Sequence, residues 1–178
     1  MEQRKVSAAE LSQAIRTIPD FPQHGIQFKD ITPVLADARL FAASIELLTE
    51  NFRPGDVDAV IGIDARGFIF AAAAALRLQA GFVPIRKKGK LPYSTYEQQY
   101  ELEYGTNTVA IHTDALQAGS RVLLIDDLLA TGGTAVAAAL LLKQMEAKIL
   151  GVHFLIELGF LKGREKLGGH TVKSLVTY

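Results

Sequence analysis

The sequence predicts an α/β fold built on a parallel sheet, and three observations carry that expectation. Short, continuous apolar runs at 59–63, 81–85, 108–112, 121–125 and 149–156 lack polar alternation, as strands buried on both faces do. Helical runs at 67–78 and 133–145 lie between strands, which implies right-handed βαβ units. The 178 residues are 49% hydrophobic, enough to close one sizeable core, so a single domain spanning 1–178 is expected, with no repeat, low-complexity tract or interdomain linker.

In chain order, Ser7-Ala8-Ala9-Glu10 has the Ser-x-x-Glu spacing of a capping box, so a helix starts there. It is expected to turn Leu11, Ala14, Ile15 and Ile18 inward and to stop at Pro19. Residues 20–33 read as a loop because of Pro22, Gly25 and Pro33. Phe21, Ile26, Phe28 and Ile31 make that loop too apolar for a solvated connector, so it must pack on something. A second helix fits 38–52, where Leu40, Phe41, Ile45, Leu48 and Phe52 recur at helical spacing. Strand, alanine-rich helix and strand follow at 59–63, 67–78 and 81–85, then a long polar, tyrosine-bearing loop at 87–105. Strands at 108–112 and 121–125, a helix at 133–145 and a strand at 149–156 complete the order.

Charge and composition exclude several classes. Lys+Arg and Asp+Glu are 19 each, so no net field favours nucleic acid or an anionic membrane, and an anionic ligand must be held by local groups. Cysteine is absent, which removes disulfides and thiolate metal sites and fits a reducing compartment. The charged start of the chain has no apolar segment behind it, and no apolar run reaches membrane length. The expectation is a soluble, cytoplasmic protein without nucleic-acid or membrane partners.

Chemistry concentrates in Val122-Leu123-Leu124-Ile125-Asp126-Asp127-Leu128-Leu129-Ala130-Thr131-Gly132-Gly133-Thr134 and the helical run behind it. In an open parallel sheet the ligand crevice lies beyond the carboxyl ends of the strands, where this strand is expected to release two carboxylates and then a loop. Gly132 and Gly133 leave backbone amides uncovered, Thr131 and Thr134 add hydroxyls, and the helix start supplies unpaired N–H groups and a positive dipole end, together a cradle for a phosphate monoester. Two adjacent aspartates repel phosphate, so they face hydroxyl donors or a cation; ribose hydroxyls and Mg²⁺ qualify. A carboxylate pair beside a phosphate cradle describes a phosphorylated sugar. No loop lysine makes this a Walker-type P-loop, and no Gly-x-Gly-x-x-Gly follows the first strand. The plain alternative is a strand-to-helix turn capped by an Asp pair.

That string resembles the 5-phosphoribosyl-1-pyrophosphate (PRPP) signature of the type I phosphoribosyltransferases. Nearly the whole chain is similar to the adenine-using members of that family, through Pro19-Asp20-Phe21-Pro22, Gly25-Ile26-Gln27-Phe28-Lys29-Asp30-Ile31, Arg66-Gly67-Phe68, Ile85-Arg86-Lys87-Lys88-Gly89-Lys90-Leu91-Pro92, Leu102-Glu103-Tyr104-Gly105 and Leu161-Lys162-Gly163-Arg164-Glu165-Lys166-Leu167. The resemblance implies a type I phosphoribosyltransferase-like fold: a central, mostly parallel sheet flanked by helices, an N-terminal base-binding hood within 1–35 and a flexible lid loop at 87–105. It implies transfer of the phosphoribosyl group from PRPP to adenine, giving AMP and pyrophosphate, in a homodimer. Family members that use 6-oxopurines typically carry Asp where Ala130 stands and Lys where Gly133 stands, so this chain looks like an adenine user.

On that footing the site residues divide by task. Asp126 and Asp127 meet the ribose, while Ala130, Thr131, Gly132, Gly133 and Thr134 hold the 5-phosphate. Arg66, directly after a strand and followed by Gly67, meets pyrophosphate with Lys87 and Lys90, and Arg86 and Lys88 as further candidates; Mg²⁺ comes bound mainly through PRPP rather than by direct protein ligands. A lid excludes the water that would capture an oxocarbenium-like ribose. The resemblance points to Glu103 for proton transfer at the purine, the alternative being a solvent-facing strand residue. Phe28 offers a stacking face with Leu128 on the other side, the alternative for Phe28 being core packing, and backbone groups of Gln27 and Lys29 read the adenine edge by resemblance. Ala65 departs from relatives that often have Ser. The rival functions are a PRPP-binding regulator on the same fold, which would need a basic face or an added helix-turn-helix segment that zero net charge argues against, the same chemistry on another purine, which Ala130 disfavours, and a purely structural module.

Overall fold

The Ser7 hydroxyl accepts from the Glu10 N–H at 3.3 Å and the Glu10 carboxylate accepts from the Ser7 N–H at 3.1 Å, the reciprocal cap its spacing predicts. In this computed structural model residues 6–101 and 105–178 are described, and they fall into two compact units, one ending at Leu47 and one beginning at Leu48.

In the first unit, helix α1 (Ala8–Ala14) is shorter than its apolar pattern suggested. Arg16–Pro19 is instead strand β1, paired antiparallel with β2 (Gln27–Asp30), so that Ile18 stands opposite Phe28. The β-branched Thr17 and Ile18 gain a ladder partner there, and that tertiary pairing overrides helical periodicity. Residues 20–33 are thus not one loop. They hold β2 and the start of α2 (Thr32–Ala36), where Pro33 occupies the first turn and its missing N–H costs nothing. Asp37 then accepts from the Arg39 and Leu40 N–H groups and opens α3 (Ala38–Thr49), which stops short of the expected Phe52.

In the second unit the described residues form a seven-stranded sheet in the order β5-β6-β4-β3-β7-β8-β9. The strands are β3 (Ala59–Ile63), β4 (Gly81–Lys87), β5 (Thr95–Glu101), β6 (Thr106–His112), β7 (Arg121–Leu129), β8 (Lys148–Glu157) and β9 (Val172–Thr177), with helices α4 (Gly67–Leu78) and α5 (Gly133–Gln144). Strands β4, β3, β7, β8 and β9 run parallel, and β6 and β5 extend the β4 edge antiparallel. The mostly parallel sheet flanked by helices is therefore as expected, with three corrections. The polar stretch 87–105 contains β5, whose Tyr96 and Tyr100 pack on the core. Strand β7 continues to Leu129, so both aspartates lie within it rather than beyond it. Strand β9 was not foreseen, because short 3₁₀ turns at Gly159–Leu161 and Gly163–Leu167, rather than an α-helix, make the crossover before it.

The crossover β3–α4–β4 leads one way along the sheet and β7–α5–β8 the other. Right-handed connections then put α4 and α5 on opposite faces. Between β3 and β7 the winding reverses, and a crevice opens at their carboxyl ends.

Candidate functional site

Strand β3 is buried along its whole length and ends at Ile63, so the next residues emerge at that crevice. The Asp64–Ala65 peptide bond is cis, Arg66 caps α4, and Gly67 begins it. A Cβ on Gly67 would stand 2.5 Å from Asp126 Oδ1 and 3.2 Å from Asp126 Cα, so only glycine lets the α4 start and the β7 carboxylate lie side by side.

Because both aspartates belong to a strand, their side chains leave opposite faces. Asp126 lies against Gly67 and accepts the Asp127 N–H at 2.9 Å, whereas Asp127 Oδ2 stands 2.7 Å from Arg66 Nη2. That ion pair does not have hydrogen-bond geometry, so Asp127 Oδ2 is buried and held by charge at short range. Desolvation pushes the Asp126 carboxyl well above the usual carboxylate range, and the neighbouring Asp127 charge adds to it. Desolvation raises Asp127 too, against the pull of the Arg66 guanidinium.

Two cavities share Asp126 and Thr134 in their walls. One of about 290 Å³ is lined by Asp64, Ala65, Arg66, Arg86, Lys87, Tyr100, Asn107, Asp126, Asp127 and Thr134, with apolar Ile63, Ile85 and Val109. The other, about 70 Å³, is lined by Asp126 and by the run Leu128, Leu129, Ala130, Thr131, Gly132, Gly133, Thr134 and Ala135. Gly132 has φ 82° and caps α5, so the loop turns sharply and presents the first amides of a twelve-residue helix to the small cavity. A polar, cationic chamber beside a small nest of amides, with Asp126 on the wall of both and Asp127 on that of the chamber, suits a ligand with negative charge at both ends and hydroxyls between.

The structure thus brings together Arg66, Lys87, Asp126, Asp127, Leu128, Ala130, Thr131, Gly132, Gly133 and Thr134. Lys90 does not line either cavity; its carbonyl accepts from Arg86 Nη1 at 3.1 Å. Arg86 also holds Asp64 at 3.1 Å, and Lys88 pairs with Glu97 at 2.7 Å. Gln27, Phe28 and Lys29 lie in β2 of the first unit, where Phe28 is half-buried, its ring 5.1 Å from that of Phe21 and edge-on to it. Lys29 Nζ donates to Thr17 Oγ1 at 2.9 Å. Glu103 lies outside the described residues. Asp64, Tyr100 and Asn107 line the larger cavity without having been singled out from the sequence. The signal for Tyr100 was the alternation of Tyr96, Gln98 and Tyr100, masked by polar neighbours.

Among the described residues no cluster of three or more His, Cys, Asp or Glu side chains is placed to hold a metal ion, and no helix is long and apolar enough to cross a membrane. Residues 27–168 match the phosphoribosyl transferase domain family. The chain is 57% identical to an adenine phosphoribosyltransferase of Acidothermus cellulolyticus over 91% of this chain and 92% of that protein. Among solved structures, adenine phosphoribosyltransferase from Rhodothermus marinus is 49% identical and superimposes with a TM-score of 0.92, covering 96% of this chain and 98% of that one. The Saccharomyces cerevisiae adenine phosphoribosyltransferase, crystallised with an imino-altritol bisphosphate and adenine, is 43% identical with a TM-score of 0.89, covering 94% and 97%.

Proposed function

We propose how the residues carry the reaction from the premise that this chain belongs to the adenine phosphoribosyltransferase family: it transfers the 5-phosphoribosyl group of PRPP to adenine, giving AMP and pyrophosphate. The observation that carries the assignment of roles is the meeting of the Asp126–Asp127 pair with Arg66 on one side and the amide nest on the other.

In our reading the 5-phosphate occupies the small cavity, where Thr131, Gly132, Gly133 and Thr134 donate to its oxygens and the α5 dipole favours its charge. Asp126 and Asp127 accept hydrogen bonds from the ribose hydroxyls, which aligns the anomeric carbon between leaving group and base. Pyrophosphate departs into the larger cavity toward Arg66 and Lys87, whose positive charges stabilise the growing negative charge. The magnesium ion is carried largely on PRPP oxygens and water. Such a Mg²⁺ would neutralise charge on the pyrophosphate. Phe28 stacks on adenine, Leu128 contacts it, and backbone groups of Gln27 and Lys29 read its edge. Glu103 moves the proton at the purine, and the segment 87–105 excludes water while the ribose is cationic. Lys90, outside both cavities, adds positive charge to the pyrophosphate side at longer range. Residues 1–178 act as one functional domain in the cytoplasm, and as a homodimer, which the exposed apolar Ile69 and Leu76 on α4 support.

The test is a base panel: purified protein, PRPP and Mg²⁺ with adenine, hypoxanthine, guanine, xanthine, orotate and uracil in turn, with nucleotide and pyrophosphate followed by chromatography. AMP from adenine alone is the expected outcome. Saturable PRPP binding without nucleotide from any base would turn the assignment to a PRPP-sensing regulator.

A further inference from the structure

Behind the phosphate loop two stretches of backbone meet with no side chain between them. A Cβ on Gly132 would stand 2.6 Å from the Gly163 carbonyl oxygen. In the other direction, a Cβ on Gly163 would overlap the Ala130 carbonyl oxygen and come within 2.9 Å of the Gly132 nitrogen. Gly163 is a wall against which the loop is set.

That wall opens the five-residue 3₁₀ turn Gly163–Leu167, a conformation with little stability of its own. Arg164 holds it in place. Its Nε donates to Glu157 Oε1 at 3.0 Å and its Nη2 to Glu157 Oε2, forming a fork on the carboxylate. Nη1 donates to the Val172 carbonyl at 2.7 Å, and Nη2 also reaches Ser174 Oγ at 3.2 Å. Glu157, 6% exposed, ends β8 opposite Leu129, the last residue of β7, and the Leu158 N–H donates to the Leu129 carbonyl at 2.9 Å. The contacts close a ring: Leu129, Glu157, Arg164, Gly163, then back to Ala130 and Gly132. Neither Glu157 nor Arg164 lines either cavity.

We propose that Glu157 and Arg164 are positioning residues for the 5-phosphate site, clamping Gly163 against the loop so that its amides are aimed before the ligand arrives. Donors fixed in advance need no reorganisation when charge enters. The proposal rests on the assignment of this loop to the PRPP phosphate.

Steady-state kinetics with PRPP and adenine varied separately test it. Arg164→Lys keeps the charge and loses the fork, and is expected to raise KM for PRPP about tenfold while KM for adenine stays within about twofold. Gly163→Ala, with the clamp intact, is expected to give the same split, and the double variant to add little to the larger single effect. Ser174→Ala removes one weak bond to Arg164 and is expected to move KM for PRPP by about twofold in the same direction. A purely structural pair would lower Tm and the active fraction, so kcat would fall with both KM values unchanged. That result, or an equal rise in both KM values, overturns the proposal. Should Arg164→Lys not fold, Ser174→Ala and Gly163→Ala decide the same question. Failure of the unchanged protein to make AMP would count against the reaction assignment alone; ribose 5-phosphate binding, compared between Arg164→Lys and the unchanged chain, would then still test the clamp.

Discussion

Asp126 is in tension between folding and the role proposed for it. Its ionised form is penalised by desolvation and by Asp127, so its folded pKa lies above its unfolded value. The sign of the linkage follows: its contribution to stability is fully present below the ordinary carboxylate value of 3.8 and is lost as pH rises through the raised folded value. Asp126→Asn removes that loss. Thermal melts are expected to show the variant more stable than the unchanged chain at neutral pH, with the difference vanishing below the ordinary value, while AMP formation falls by roughly ten- to a hundredfold through the lost charged acceptor. Equal melts across that window would mean that Asp126 is not desolvated as described. Gly67 gives a second test, because a Cβ there meets Asp126 itself. Gly67→Ala is expected to lower kcat/KM for PRPP by about a hundredfold through displacement of Asp126, measurable in initial rates. Arg66 and the aspartates were legible in the sequence as chemistry; that Gly67 is the surface on which Asp126 rests was not, since no spacing rule joins residues so far apart.

At the scale of elements, some signals were local and others depended on a partner. The capping box of α1 is local: Ser7 and Glu10 satisfy each other whatever surrounds them. Ser7→Ala is expected to cost about 1 kcal/mol in denaturant unfolding, with AMP formation unchanged. A loss near zero would mean that α1 owes its stability to packing rather than to its cap. The ends of elements behaved otherwise. Ile18 continues the helical pattern of α1 but belongs to β1, because β2 offers it a ladder opposite Phe28. Strand β5 carries Gln98 between Tyr96 and Tyr100 on its inward side, so its apolar alternation is broken, and its seven-residue pairing with β6 supplies the missing stability. Strand β7 runs past Ile125 through two charged residues because β8 pairs with it as far as Leu129.

For the whole molecule, neutral net charge leaves association to local surfaces. On α4, Ile69 and Leu76 are 40% and 83% exposed and stand seven residues apart, on one helix face. Sedimentation equilibrium is expected to show a dimer, and Leu76→Glu to shift it toward monomer; a monomer throughout would remove the homodimer from the proposal. The sequence by itself determined the α/β class, the order of the long helices and the central strands, and the place of the glycine- and threonine-rich loop before α5, because periodicity, turn chemistry and a contiguous motif act over short stretches of chain. Only the tertiary structure decided that β5 and β9 are strands, that Lys90 stands apart from the cavities while Arg66 meets Asp127, and that Gly163 lies against Gly132. Each of those depends on groups distant in sequence satisfying one another's hydrogen bonds, charge or shape, and such complementarity exists only once the chain has folded.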